Sequence, residues 1–209
     1  MLYAPAPAKN ATLRHLVYGQ NQLRAVSDGN LVSVDLRAPV NSSSIVIGIT
    51  PDGLASDGAT LFYTYVSSTP GLNSIIALTA PPRAVALELN TARNLAVDET
   101  QIFFVQGTPD AGTSRISAVP KTAAKAQGDA IAMLSVGEEN PIALAIHRSG
   151  PNASAVVWAN ATTGAIRRRD LRKGGTTTTL ATANSPNAIA VDDDGVYWSS
   201  SDGVTRLPP

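Results

Sequence analysis

Cysteine is absent from the 209-residue chain, and histidine occurs only twice, as His15 and His147. Without thiolates there is no disulfide framework, no cysteine nucleophile and no cysteine-ligated zinc or iron–sulfur site. Two histidines leave little room for an imidazole metal cage. The formal net charge is zero, so no overall field attracts nucleic acid or an anionic membrane surface. We therefore expect no metal, no cofactor and no nucleic-acid partner.

Long apolar runs are also missing, since no stretch of 18 apolar residues occurs. We therefore expect no membrane insertion. The first nine residues lack the basic region and the apolar stretch of a signal peptide. We expect an extracellular or periplasmic protein, present as a mature chain whose signal peptide has been removed; a cytoplasmic protein is the alternative.

Short β-type runs repeat along the chain in groups of four, separated by Gly, Asp, Asn and Ser turn residues. We name the four strands of each group a to d in chain order. The centres of the a strands fall at Val17, Ala55, Ala96, Ala145 and Ala190, which are spaced 38, 41, 49 and 45 residues apart. Four short strands in about 40–50 residues are typical of a β-propeller blade.

The repeats predict an all-β fold, a five-bladed β-propeller with four-stranded antiparallel blades, in a single domain over residues 1–209. The predicted blades are residues 13–50, 53–90, 93–137, 141–182, and 186–209 together with 6–12. The last group has no d strand of its own, and residues 6–12 resemble the Thr-rich d strand at 176–182. An N-terminal strand that closes the last blade would hide two free edges. A fragment of a six-bladed propeller is the alternative.

The C-terminal repeats resemble those of YWTD-type and NHL-like propellers. Val196–Pro208 carries the clearest repeat, and Leu95–Asp98, Val157–Ile166 and Ile189–Asp192 fit the same pattern. The chain is also similar to bacterial secreted propellers with "AVD…VYW" repeats. The Tyr-Trp pair is complete only at 197–198, and five groups are present where YWTD propellers usually have six blades. The resemblance implies a fold and no catalytic residue.

One aromatic position recurs on the b strands. Its members are Tyr63, Phe104, Trp158 and Trp198. Recurrence at one fold position favours packing between blades, and a stacking platform for sugars is the alternative.

Acidic residues recur where the a strands end. They are Asp57, Asp98 and Asp192, and His147 holds the equivalent place in the fourth group. The pattern favours a turn in which the carboxylate accepts backbone N–H bonds. Glycosidase chemistry by a carboxylate pair and calcium binding by residues 192–194 are the alternatives.

Polar residues gather in the loops between d and a strands. We expect the binding residues among them to be Asp52, Asn90, Arg93, Asn94, Asn140 and Asn187. Amides supply donors and acceptors, which suits a peptide backbone or a neutral polyol. The alternative is that Asn recurs because it favours turns. We place the binding face at the channel mouth, where the d–a and b–c loops meet.

A basic run over residues 167–173 holds five bases and one acid. It indicates either a docking patch for an anionic partner or a solvated edge that resists edge-to-edge pairing.

These features together favour a non-enzymatic binding or scaffold module for a protein or a polar small molecule. The alternatives are a lectin-like, carbohydrate-binding propeller, and a polysaccharide hydrolase or lyase with carboxylates such as Asp52 and Glu139. We assign no catalytic residue.

Overall fold

The computed structural model describes residues 13–19, 21–27, 30–37, 42–46, 51–69, 71–108, 112–148, 154–172 and 174–208. This part of the chain is built from β-strands, with one turn of 3-10 helix at Gly128–Ala130. None of its helical segments has the length and apolar character needed to cross a membrane. The chain divides into two compact units, which are described separately: unit 1 holds residues 1–95 and 122–127, and unit 2 holds residues 96–121 and 128–209.

Unit 1 contains two four-stranded antiparallel sheets, each with its strands in sequence order. The first sheet consists of β1 (Leu13–Gly19), β2 (Gln22–Ser27), β3 (Asn30–Asp35) and β4 (Ser42–Val46). The second consists of β5 (Leu54–Ser56), β6 (Leu61–Tyr65), β7 (Asn73–Leu78) and β8 (Arg83–Leu89).

Unit 2 contains the other three sheets, again with neighbouring strands antiparallel. The third consists of β9 (Arg93–Val97), which spans the boundary between the units, β10 (Gln101–Gln106), β11 (Ser114–Pro120) and β12 (Ala132–Glu138). The fourth consists of β13 (Pro141–Arg148), β14 (Ser154–Asn160), β15 (Ala165–Asp170) and β16 (Thr177–Thr182). The fifth consists of β17 (Ala188–Asp192), β18 (Gly195–Ser200) and β19 (Gly203–Leu207).

The predicted fold class is confirmed: the chain is all-β and forms a five-bladed β-propeller of antiparallel blades. The fifth sheet has three strands among the described residues. The strand proposed to close it, residues 6–12, lies outside the described residues. The single-domain span and the blade limits stay predictions.

Hydrophobic patterning explains why β14 is an inner strand of its sheet. On β14, which lies between two strands, residues 155–160 are all buried, so the strand reads as a nearly continuous apolar run. Its side chains alternate between two seams. Val156 and Trp158 pack against the third sheet, whereas Val157 and Ala159 pack with Trp198 of the fifth sheet. In unit 1, Leu31 and Leu61 belong to a similar seam between the first two sheets.

An insertion between β11 and β12 lengthens the third repeat and explains its spacing of 49 residues. Part of this insertion, residues 122–127, belongs to unit 1 and lies along the outer strand β8. Ala126 forms a parallel bridge with Ala86. The inserted segment therefore covers the edge of β8, which would otherwise present unpaired backbone groups.

Candidate functional site

The loops at one end of unit 2 are joined to one another by backbone hydrogen bonds. The carbonyl of Asn140, in the d–a loop before β13, accepts a bond of 3.0 Å from the amide of Ala161 in the b–c loop after β14. The amide of Ala183 donates to Gly164 O at 2.9 Å. Asn184 O accepts from Ser201 N at 3.0 Å and from Ser201 Oγ at 2.9 Å. Four loops of two blades therefore form one connected surface.

We call this surface the loop face and define it by residues 139–140, 161–163, 184–187 and 201–202. Most of its side chains are exposed, among them Thr162, Thr163, Asn184 and Asn187. Its residues include no aromatic side chain and no lysine or arginine. The only charged members are the acids Glu139 and Asp202. Such a surface presents neutral hydrogen-bonding groups with a weakly acidic character.

The buried carboxylate of Glu138 lies next to the loop face in the chain and fixes the strand end that leads into it. Glu138 is the last residue of β12, and its side chain is 0% exposed. Its oxygens accept hydrogen bonds from four groups. The donors are Ser135 Oγ, Trp158 Nε1 at 2.9 Å, Asn160 Nδ2 at 2.7 Å and Arg167 Nη1 at 2.7 Å. The guanidinium of Arg167 also lies over the Trp158 ring, 5.8 Å from its centre.

The four donors keep Glu138 ionised. Burial alone raises the pKa of this carboxyl, but the hydrogen bonds from Ser135, Asn160 and Trp158 and the charge of Arg167 outweigh burial and leave the pKa below its ordinary value of 4.5. A carboxylate held in this state does not act as a general acid near neutral pH. Its hydrogen bonds join the end of β12 to strands β14 and β15.

Gly164 is the residue that the b–c turn of the fourth blade requires. Its φ is +72°, a conformation that L side chains rarely adopt. A Cβ at this position would lie 2.2 Å from the carbonyl oxygen of Ala183. The close approach that joins the b–c loop to the d–a loop therefore depends on the absence of a side chain.

Two of the predicted binding residues, Asn140 and Asn187, belong to unit 2, and both lie on the loop face. Asn187 is exposed and Asn140 is half-buried. In unit 1, the amide of Asn94 donates to the carbonyl of Asp52 at 3.0 Å, so these two residues are neighbours through their backbones. Asn90 is exposed, and its carbonyl accepts a bond of 3.0 Å from Asn73 Nδ2. Arg93 is half-buried at the start of β9.

Backbone conformation accounts for part of the Asn repeat. Asn94 has a φ of +50° and Asn140 a φ of +53°. Among residues with a side chain, Asn tolerates this left-handed region best, because its short amide can hydrogen-bond locally. At these two positions the structure therefore supports the alternative that Asn recurs because it favours turns.

The recurring aromatic residues lie inside the sheets. Phe104 and Trp158 are fully buried, Trp198 is 5% exposed and Tyr63 is half-buried. The buried rings of Phe104, Trp158 and Trp198 therefore do not offer a stacking platform to a sugar.

Each recurring aspartate accepts backbone hydrogen bonds within its own a–b turn. Asp57 Oδ1 accepts from the amides of Ala59 and Thr60 at 2.9 and 2.7 Å. Asp98 and Asp192 make the same pair of bonds, to residues 100 and 101 and to residues 194 and 195. Within the described residues, no group of three or more His, Cys, Asp or Glu side chains is placed to hold a metal ion.

His147 occupies the equivalent position in the fourth blade but is 2% exposed, and its Nδ1 has no hydrogen-bond partner among the described residues. Burial lowers the pKa of this imidazole below 6.5, and the charge of Arg168 acts in the same direction. Asp193 and Asp192 act in the opposite direction without restoring the ordinary value. His147 is therefore held as the neutral imidazole at neutral pH.

Sequence reasoning missed the roles of Glu138, Asn160 and Arg167. The sequence places Arg167 only within the basic run over residues 167–173 and gives Glu138 no role. One signal was available: Trp158 and Asn160 are two residues apart on a strand, so they share a face. No local pattern indicates that this face meets the end of β12.

No protein-family model and no curated protein sequence matches the chain. Solved structures do match it. A chain of the nidogen/laminin complex aligns with a TM-score of 0.70 and 13% identity, over 95% of this chain and 76% of that chain. Virginiamycin B lyase from Staphylococcus aureus aligns with a TM-score of 0.65 and 11% identity, over 97% and 68%. A calcium-binding regucalcin from Agrobacterium tumefaciens aligns with a TM-score of 0.64 and 12% identity, over 93% and 72%.

These three proteins differ in what their names say of them: one is part of a complex, one is a lyase and one binds calcium. At such identities the likeness shows the fold alone. The resemblance of the repeats to YWTD-type and NHL-like propellers is confirmed at that level.

Proposed function

We propose that the chain is a non-enzymatic binding module and that the loop face of unit 2 engages a protein segment or another neutral polar ligand. The observation that carries this proposal is the set of hydrogen bonds that joins four loops, from Asn140 through Gly164 to Ser201. A surface whose backbone is already fixed loses less conformational entropy when a ligand binds.

The chemistry of the loop face supports the same proposal. Amides and hydroxyls, which both donate and accept hydrogen bonds, suit the backbone of a protein loop or a polyol. The lack of lysine and arginine gives no electrostatic reason for an anionic ligand to bind there. The ionised state of Glu138 supports a structural use of the buried carboxylate rather than an acid–base one.

The test compares binding to two probe sets, an array of neutral peptides and an array of neutral oligosaccharides. The loop-face variant carries Asn140→Gly, Asn184→Ala and Asn187→Ala. Glycine at 140 removes the amide and keeps the positive φ accessible. The matched control is Asp193→Ala, an exposed residue in the a–b turn of the fifth blade.

We expect the wild type and the control to bind the same peptide probes and the loop-face variant to lose that binding. Mass spectrometry of each bound probe must show it unaltered. Cleaved oligosaccharides would instead establish the hydrolase or lyase alternative, and binding of intact glycans alone would establish the lectin. Unchanged binding in the loop-face variant would remove this face as the site.

We also propose an extracellular or periplasmic location for the protein. The support is the similarity of its repeats to those of secreted bacterial propellers. Fractionation of the native cell, with detection of the protein in each compartment, tests this location, and recovery in the cytoplasmic fraction alone would contradict it.

A further inference from the structure

The outer strand of the fourth blade, β16, presents an open edge among the described residues. It pairs with β15 on one side and is the last strand of its sheet. The segment over residues 176–182 contains no charged residue and no proline. Natural edge strands are usually blunted by lysine, proline or a bulge. The one register shift in this pair leaves Leu180 of β16 as an extra residue between Thr179 and Ala181, so the bulge lies on the edge strand and the regular part of the edge is residues 177–179.

The same chain shows that the edge of a d strand can accept backbone hydrogen bonds from another segment. In unit 1, Ala126 N donates to Val85 O at 2.8 Å and Leu87 N donates to Ala126 O at 3.0 Å. Lys125 N donates to Ala84 O at 3.2 Å. One bridging residue, Ala126, thus pairs with the edge of β8, the strand of the second blade that corresponds to β16.

Among the residues that the structure describes, two arginines next to this edge have no carboxylate at ion-pair distance. Strand β15 places Arg167, Arg168 and Arg169 opposite Thr179, Thr178 and Thr177 of β16. Arg167 pairs with Glu138 at 2.7 Å. Arg172 is the ion-pair partner of Asp170, and its hydrogen bonds lower the pKa of that carboxyl to about 2. Within the described part of unit 2, Arg168 and Arg169 have no carboxylate oxygen within 4.0 Å of their nitrogens.

We propose that the edge of β16 binds an extended acidic peptide by strand addition. The peptide backbone pairs with the free edge of β16, and its carboxylates contact Arg168 and Arg169. Successive side chains of β15 point to opposite faces of the sheet, so these arginines receive consecutive acidic residues. The added strand lies about 10 Å from β15, two strand spacings away, which an arginine and a glutamate side chain span together. This site is separate from the loop face.

The charges favour an acidic peptide over a second copy of the chain. Two copies that paired through β16 would each bring Arg168 and Arg169 to the shared edge. The two β15 strands would then lie about 14 Å apart, three strand spacings, so the four arginines would add repulsion rather than attraction to the pair. An acidic peptide would instead be attracted by Arg168 and Arg169. This attraction would make strand addition selective for acidic sequences.

The probe is the capped peptide Thr-Val-Glu-Glu-Val-Thr-Val-Thr. Three matched peptides serve as controls: one with Gln in place of both Glu, one with Lys in place of both Glu, and one with alternate backbone nitrogens methylated. Fluorescence anisotropy with the wild-type protein gives each affinity at 50 and 300 mM salt. These comparisons do not depend on the folding of any variant.

The protein variants are Arg168→Ala, Arg169→Ala and the double variant, with Arg206→Ala as the control. Arg206 is an exposed arginine on β19 of the fifth blade. Each single variant should weaken peptide binding about twofold to fivefold, the range of exposed ion pairs, and the double variant more. Arg206→Ala should not change it. A chemical-shift map with the acidic peptide should centre on residues 177–182.

Weaker binding of the Gln, Lys and N-methylated peptides, together with the salt dependence, would support the proposal. Equal binding of the N-methylated peptide would exclude strand addition, and equal binding of the Lys peptide would exclude the role of the arginines. A concentration-dependent dimer that Thr178→Lys abolishes would show that a second copy occupies the edge, which overturns the proposal. No binding of the Glu peptide at millimolar concentration would also overturn it.

Discussion

The carboxylate of Glu138 accepts a hydrogen bond of 2.9 Å from the indole nitrogen of Trp158, a residue 20 positions later in the chain. Glu138 ends the outer strand of one blade, and Trp158 lies on an inner strand of the next. The bond therefore fixes the d–a loop that leads into the fourth blade relative to that blade's own inner strands. The loop face rests on this attachment.

We expect Glu138→Gln to lower the free energy of unfolding by about 2–3 kcal/mol. The substitution keeps the shape of the side chain but removes the charge that Arg167 pairs with, and hydrogen bonds to a charged group contribute about 1.5–3 kcal/mol. Because Arg167 is 27% exposed, we expect a smaller loss in the free energy of unfolding than for a fully buried ion pair. Urea denaturation measures the difference.

Glu139→Gln is the control for this substitution. Glu139 is the next residue in the chain and is half-buried rather than fully buried. We expect its replacement to change stability by less than about 0.5 kcal/mol. Equal losses in the two variants would contradict a special role for Glu138.

Stability should fall as the pH falls through 6.5 because of His147. The folded state holds the pKa of His147 below 6.5, mainly through burial, so the unfolded chain binds more protons in this range. The stabilising contribution of the neutral imidazole is complete above pH 6.5 and is lost as the pH drops toward the folded pKa. Urea denaturation at pH 8, 7, 6 and 5 measures the slope.

His147→Gln should flatten that slope. The other histidine of the chain, His15, supplies the matched variant His15→Gln, which should keep it. If the slope persisted in His147→Gln and disappeared in His15→Gln, the effect would belong to His15.

A separate loss of stability below pH 4.5 is expected from Glu138, whose pKa is lowered in the folded state. Glu138→Gln should remove this loss.

The turn after β9 should depend on the oxygen of Asp98 and not on its charge. Asp98 is 7% exposed, and its Oδ1 accepts from Thr100 N and Gln101 N, both at 2.7 Å. Asp98→Ala should lower the free energy of unfolding, measured by urea denaturation, by about 1–3 kcal/mol, since two part-buried amides lose their acceptor and each hydrogen bond contributes about 0.5–1.5 kcal/mol. Asp98→Asn keeps the oxygen and should retain most of the stability. Equal damage from both substitutions would show that charge matters more than turn geometry.

Gly164→Ala should destabilise the protein more than Gly174→Ala does. Both glycines have a left-handed φ, +72° and +80°. An alanine pays about 1–2 kcal/mol for this conformation at either position. Among the described residues, a Cβ at 174 would meet no atom within 4 Å, whereas a Cβ at 164 would meet atoms of Thr182 and Ala183, the nearest being the Ala183 oxygen at 2.2 Å. Chemical denaturation of both variants isolates the contribution of that contact, and equal losses would mean that the contact relaxes freely.

Local patterns were sufficient to predict the repeat. The alternation of apolar and polar residues and the Asp, Asn and Gly turn signals act over a few residues, so a sequence carries them completely. The a–b turns illustrate this, because Asp57, Asp98 and Asp192 bond to amides two and three residues away. The five-bladed antiparallel fold followed from these signals.

The site could be predicted only in part. The Asn-rich d–a loops were visible, and two of the expected residues, Asn140 and Asn187, lie on the loop face of unit 2. The left-handed conformation of Asn140 was not visible, because the d–a loop fixes it through backbone bonds to another loop. Arg167 was expected on an exposed edge, yet it reaches Glu138, 29 positions earlier in the chain.

The sequence by itself determined the strands, their order and the turns between them, because these depend on contacts among near neighbours in the chain. The tertiary structure alone decided which charged residues are buried and which stay open. Glu138 and Arg167 meet because two blades pack face to face, and this packing brings together residues that no local period relates. Arg168, one position further along the same strand, points to the other face of the sheet, where its charge helps to lower the pKa of His147.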